Sequence, residues 1–150
     1  MPRTLRIPSA PGERVFASPQ EIFGSLQPDA QARSWVLWGD FWMTAAPDAD
    51  LDVLALEERV RAAAHGVEMT WNDLDQLLAQ LLQVIDGTLI GRSPGAELPA
   101  YPETGWQEIH RTHDLVVTAD DSTFWWVTAP EEVIARVRAR FPHVEEDPLY

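Results

Sequence analysis

At 150 residues, with 45% apolar and 23% charged side chains, the chain has the size and composition of one globular domain with its own core. No apolar run approaches the roughly 20 residues of a membrane-crossing helix, and the basic N-terminus MPRTLRIPSAPGERV lacks the apolar stretch of a signal peptide. Cysteine is absent, which removes disulfides, thiolate zinc sites and cysteine nucleophiles and makes the cytoplasm the default expectation.

The charge is lopsided. Asp and Glu total 24 against 11 basic residues, a formal net charge of −13, and every basic residue is arginine. This argues against nucleic acid or an anionic membrane as partner, since both are held by basic patches. It permits fast, steered association with a basic protein, and it also serves solubility alone.

Residues 1–17 carry three prolines and three arginines. They read as an extended N-terminal arm with a short strand near Thr4 to Ile7, ahead of a single domain over 18–150. Ser18-Pro19-Gln20-Glu21 has a serine cap, a first-turn proline and an acid three residues on, which predicts a short helix ending near Pro28. The next segment, SWVLWGDFWM over 34–43, packs Trp35, Trp38, Phe41 and Trp42 close together. Helical spacing would align the tryptophans, but the aromatic and valine content and the central Gly39 favour a strand.

Leu51 to His65 reads as a helix with an apolar stripe of Val53, Leu54, Leu56, Val60 and Ala64, stopped by Gly66. A second helix, capped by Thr70, is expected from Trp71 to Asp86 through Leu74, Leu77, Leu78, Leu81, Leu82 and Ile85. Asp86-Gly87 would end it, with a short strand starting at Thr88-Leu89-Ile90. Residues 91–105 are rich in Gly and Pro and predict a long surface loop. Strands are expected at Gln107 to His110, Leu115 to Ala119 and Thr123 to Val127, the last two joined by the Asp120-Asp121-Ser122 turn. Thr128-Ala-Pro130-Glu131 launches a final helix through Arg140. The sum is an α+β domain: a mainly antiparallel sheet of about 4–5 strands with about 3–4 helices packed on one face.

Alternation along the strands divides the aromatics between two sheet faces. Trp35, Leu37, Phe41 and Met43 form a uniformly apolar set for the helix-covered face. Val36, Trp38, Asp40 and Trp42 form a mixed set suited to a partly wet surface. A tryptophan carries about 150–250 Å², so an exposed cluster forfeits about 4–6 kcal/mol of burial and usually has a partner.

Glu108, His110, His113 and Asp114 are the densest group of potential metal ligands, but strand alternation would split them between faces, so solvated loop groups are the simpler reading. Asp120-Asp121-Ser122 is accounted for by turn chemistry, and Asp48-Ala-Asp50-Leu-Asp52 lacks the glycine and glutamate of a calcium loop. No phosphate-binding loop, nucleophile elbow or HExxH pattern occurs, so no catalytic residue, metal or cofactor is expected.

In size, acidity and aromatic surface the chain resembles the small immunity proteins of bacterial toxin systems, a likeness of profile without a shared motif. The resemblance implies a module that neutralises or scaffolds a basic protein. Trp38, Trp42 and Trp125 are the expected anchors, with Asp40, Asp120 and Asp121 supplying charge. Two other readings compete: a small-molecule-binding domain or enzyme with a tryptophan-lined pocket closed by residues 91–105, and a homodimer joined through the aromatic patch.

Overall fold

Strand preference prevails in SWVLWGDFWM: Ser34–Ala45 forms β2, the backbone of a seven-stranded sheet. The computed structural model describes residues 2–8 and 17–146. Its other strands are β1 (Arg3–Pro8), β3 (Val67–Met69), β4 (Leu81–Arg92), β5 (Val116–Asp120), β6 (Phe124–Ala129) and β7 (Glu145–Glu146). They run in the order β3-β2-β4-β5-β6-β1-β7, and every described pairing is antiparallel. The helices are α1 (Pro19–Ser25), α2 (Val53–Ala62), α3 (Trp71–Gln80), α4 (Trp106–Thr112) and α5 (Glu131–Arg140). The α+β class therefore holds, with more strands and helices than the sequence led us to expect.

Residues 3–8 of the expected arm are an inner strand, paired with β6 on one side and β7 on the other. The remainder of that segment, residues 9–16, lies outside the described residues.

One face of the sheet carries the main core. Trp35, Leu37, Phe41 and Met43 of β2 meet Ile22 and Phe23 of α1, Leu74 and Leu78 of α3, and Val133, Ile134 and Val137 of α5. The local signals that launch these helices are present. Ser18 and Glu21 form a reciprocal capping box, and the Thr70 hydroxyl accepts from the Asp73 N–H. In α5, however, Pro130 is itself the cap residue, and Thr128 belongs to β6.

Four expectations fail, each for a tertiary reason. Helix α3 ends at Gln80, not near Asp86, and Leu81 to Ile85 enter β4. No glycine or proline stops it there; the long β2–β4 ladder supplies backbone hydrogen bonds that override the leucine-rich helical pattern. Residues 106–112 are a helix, not a strand, because Trp106, Ile109 and His110 fall on one helical face that is packed onto the sheet. That helix lies on the face opposite the main core, so the helices are not confined to one face. A second, smaller core there joins Ile109 to Val36, Trp38, Ile90 and Val116.

The fourth concerns α2. Leu54 is 61% exposed, while Glu57 is buried. Short β3 covers β2 only along Trp35–Leu37, leaving the rest of that edge unpaired. Helix α2 closes it with side chains: Glu57 Oε2 accepts from the Met43 N–H at 2.8 Å, and Arg61 Nη1 donates to the Phe41 carbonyl at 3.0 Å. A polar side chain stands in for a missing strand, which also blocks edge-to-edge pairing.

Midway along, β2 bulges. From Trp38 to Trp42 it advances four residues while β4 advances two, from Thr88 to Asp86. Gly39 takes φ +88° within the bulge. Gly87 takes φ +150°, and a Cβ there would sit 2.4 Å from the Phe41 ring. Only glycine lets that ring lie on the strand. The bulge thereby turns Trp38, Gly39 and Asp40 toward one pocket on the second face.

Candidate functional site

That second face is half covered. Helix α4 and the segment 98–106 roof its middle, through Leu98, Tyr101 and Trp106 packed on the smaller core. Where the roof ends, a pocket of about 340 Å³ opens. Its aromatic walls are Trp38, Tyr101 and Trp106, and Asp40 and Asp86 stand among its lining residues. Trp38 and Tyr101 meet edge-on at 5.3 Å, and the Trp38 indole N–H donates to the Pro99 carbonyl at 3.0 Å. Trp106 packs on Trp126 at 5.1 Å, which fixes the far wall.

The β5–β6 turn brings two more carboxylates. Asp121 and Ser122 take φ +50° and +56°, the paired left-handed geometry of a tight hairpin. The tip leans on β4: the Asp121 N–H donates to Asp86 Oδ1 at 2.8 Å and the Ser122 N–H to the Ile85 carbonyl at 2.9 Å. Asp120 accepts from the Trp126 indole at 3.2 Å.

Four aspartates thus gather at one end of the sheet. None of the ion pairs among the described residues involves Asp40, Asp86, Asp120 or Asp121. Eight of the described arginines pair with other carboxylates, as in the two-pronged Arg33–Asp114 pair and the Arg138 bridge to Glu131 and Glu146. Asp86 records the imbalance. Partial burial raises its pKa, the Asp121 N–H opposes this, and the charges of Asp121, Asp120 and Asp40 raise it further.

The pocket floor is a buried polar chain. Thr88 and Thr118 line it, and their hydroxyls lie 2.9 Å apart. Thr118 bonds His110 Nε2 at 2.8 Å, His110 Nδ1 bonds Thr128 at 2.7 Å, and Thr128 bonds Thr4 at 2.6 Å. All five residues are at most 5% exposed. Burial, aided by His113, lowers the His110 pKa to about 3, so the ring is neutral at pH 7.

The sequence-derived site residues divide. Asp40 lines the pocket, and Asp120 and Asp121 stand beside it through Asp86. Trp38 belongs to the same pocket, but it is only 2% exposed, a wall and not a protruding anchor. Trp42 is 42% exposed and pairs with Asp86 in the β2–β4 ladder; the Arg61 guanidinium covers one of its faces at 4.2 Å. Trp125 is not brought to the site. It is fully buried in the main core, its indole donating to the Ala17 carbonyl at 2.8 Å, because its parity in β6 places it on the helix-covered face.

Asp86, Tyr101, Trp106 and the Thr88–Thr118 floor were missed. Asp86 was assigned to a helix end, which hid its alignment with Trp42. Trp106 carried a usable signal, since Trp106, Ile109 and His110 recur at helical spacing. Tyr101 had none, because a loop's docking position is set by the surface it meets.

The group Glu108, His110, His113 and Asp114 does not converge. His110 is consumed by threonines, Asp114 by Arg33, and His113 by Thr112 and the Glu97 carbonyl. Among the described residues, no set of three or more His, Asp or Glu side chains is placed to hold a metal ion. No helix among them is long and apolar enough to cross a membrane.

Comparison with protein-family models, with curated proteins and with solved structures finds no match to this chain.

Proposed function

We propose that the protein is a binding module for a basic protein partner, in the manner of an immunity or antitoxin-type protein, and that the surface around Asp86 is where the partner docks. The carrying observation is the group Asp40, Asp86, Asp120 and Asp121, outside every ion pair among the described residues, beside an aromatic pocket and the half-exposed Trp42. Carboxylates that already repel one another favour a cation more than isolated carboxylates do, because its arrival relieves the repulsion. Trp42 and the rim aspartates supply the contact, with Trp38 as the fixed wall behind them.

Capture from the native host tests this. The bait is the wild-type chain, compared with a variant carrying Asp40→Asn, Asp120→Asn, Asp121→Asn and Trp42→Ala. A basic protein retained by wild type, eluted by salt and lost on the variant supports the proposal. Equal retention by both baits, or no basic protein on either, contradicts it.

The competing small-molecule reading also has an observation in its favour, the pocket itself. Its polar groups are Asp40, Asp86 and the threonine floor, not the His110, His113 and Asp114 set suggested by the sequence.

A further inference from the structure

The floor of the pocket constrains what can occupy it. With His110 neutral, four threonine hydroxyls and one imidazole N–H bring five hydrogens to the four bonds of the Thr4–Thr128–His110–Thr118–Thr88 chain. One hydrogen is left over, and it emerges either toward the pocket, on Thr88 or Thr118, or at the far end, on Thr4 or Thr128. If it emerges toward the pocket, the ring carries its proton on Nε2 and the pocket floor offers a donor. If it emerges at the far end, the ring carries its proton on Nδ1, Thr118 donates to the ring and Thr88 to Thr118, and Thr88 offers only lone pairs to the pocket. The His110 tautomer and the character of the pocket floor are thus one variable.

The walls select the second state. Asp40 and Asp86 are acceptors, no basic residue among the described residues lines the pocket, and burial together with the acidic neighbours disfavours the charged form of Asp86. An occupant that donates hydrogen bonds and carries positive charge satisfies all three. The described residues gather no set of three metal-ligating side chains, and the aromatic walls favour an organic cation over a hydrated metal ion. Between the two biological forms, an ammonium is a compact, strongly hydrated point charge. A guanidinium is flat, weakly hydrated, forked toward carboxylates and able to lie against aromatic rings. The walls Trp38, Tyr101 and Trp106 suit the second. The same fold already places one guanidinium on a tryptophan, Arg61 over Trp42.

We infer that this pocket binds a guanidinium group, paired with Asp40 and Asp86, flanked by the aromatic walls and received at its base by Thr88 acting as acceptor. This deepens the reading of the surface as a dock for a basic protein, whose arginine side chain is one source of the group; a free guanidino compound is the other.

The test titrates the full chain with agmatine, with Gly-Arg-Gly and with Gly-Lys-Gly at constant ionic strength, using calorimetry and ¹⁵N spectra of the histidine rings. Either guanidinium probe should bind at least about tenfold more tightly than the lysine peptide, and Asp86→Asn should weaken it by about 10–100-fold, the range for one charged hydrogen bond. Binding should also move His110 toward the Nδ1–H tautomer, a response that surface charge screening does not produce. Agmatine binding assigns the group itself, and binding by the arginine peptide alone assigns a partner's side chain. The inference is overturned if neither guanidinium probe binds, if the lysine peptide binds equally well, or if Asp86→Asn binds like wild type. Should it fail while the host partner is still captured by wild type and lost on the rim variant, the docking surface stands and only its pocket has been misassigned.

Discussion

Acidification should destabilise this fold through a single histidine, and the size of the effect follows from its burial. His110 is 3% exposed with both ring nitrogens bonded to threonine hydroxyls, and burial, aided by His113, lowers its pKa from 6.5 to about 3. A depressed folded-state pKa contributes stability that is fully present above the unfolded value and is lost as pH falls toward the folded value. Between pH 7.5 and 5 the unfolded ring gains a proton that the folded ring refuses. At pH 5 the loss is RT ln(1 + 10^1.5), about 2 kcal/mol, and it continues at about 1.4 kcal/mol per pH unit down to about pH 3. Urea denaturation of wild type and His110→Gln at both pH values measures it. Differences between pH values within each protein cancel any packing loss in the variant. The drop from pH 7.5 to 5 should be smaller in the variant by about 2 kcal/mol. A difference below about 0.5 kcal/mol would refute the picture of a neutral, sealed imidazole.

Other outcomes follow from the same contacts. Gly87→Ala should cost about 2–4 kcal/mol in urea unfolding, because a Cβ 2.4 Å from the Phe41 ring meets a φ of +150° at the same position. Glu57→Ala should cost about 1–3 kcal/mol by leaving the Met43 N–H without its acceptor, and should promote association through the opened β2 edge, visible by light scattering. Asp86→Asn should raise stability at pH 7. A carboxyl with a raised folded pKa contributes stability that is present at low pH and lost as pH rises through that value, so at pH 7 its charge is a burden. Trp42→Ala should leave the unfolding midpoint nearly unchanged while weakening capture of a partner, since the ring is 42% exposed.

Much of the main core was legible in the sequence. Alternation along β2 assigned Trp35, Leu37, Phe41 and Met43 to one face, and all four are buried there. Caps at Ser18 and Thr70 marked two helix starts, because those signals act within one turn. What escaped was set over distance. The leucine run after Trp71 reads as one helix, and only the demand of β2 for a partner converts its second half to strand. Trp38 was assigned to the wetter face and does lie there; its burial comes from α4 and the segment 98–106, which helical spacing alone does not dock. Alternation also separates Trp125 from Trp126, yet cannot say which member faces the core, and Trp125 is the one enclosed by helices. Asp86 became central because a bulge in β2, which Gly39 and Gly87 permit at positive φ, brings it level with Trp42.

The central claim is that recognition occurs on the second face near Asp86, and the seven tryptophans provide the reporters. In ¹⁵N spectra of the indole N–H groups, hexa-arginine should shift the signals of Trp38, Trp42, Trp106 and Trp126, which wall or border the acidic end. Those of Trp35 and Trp125, enclosed in the core of the opposite face, should stay in place. Shifts confined to Trp35, Trp125 or Trp71, or no shift at any indole, would contradict the account.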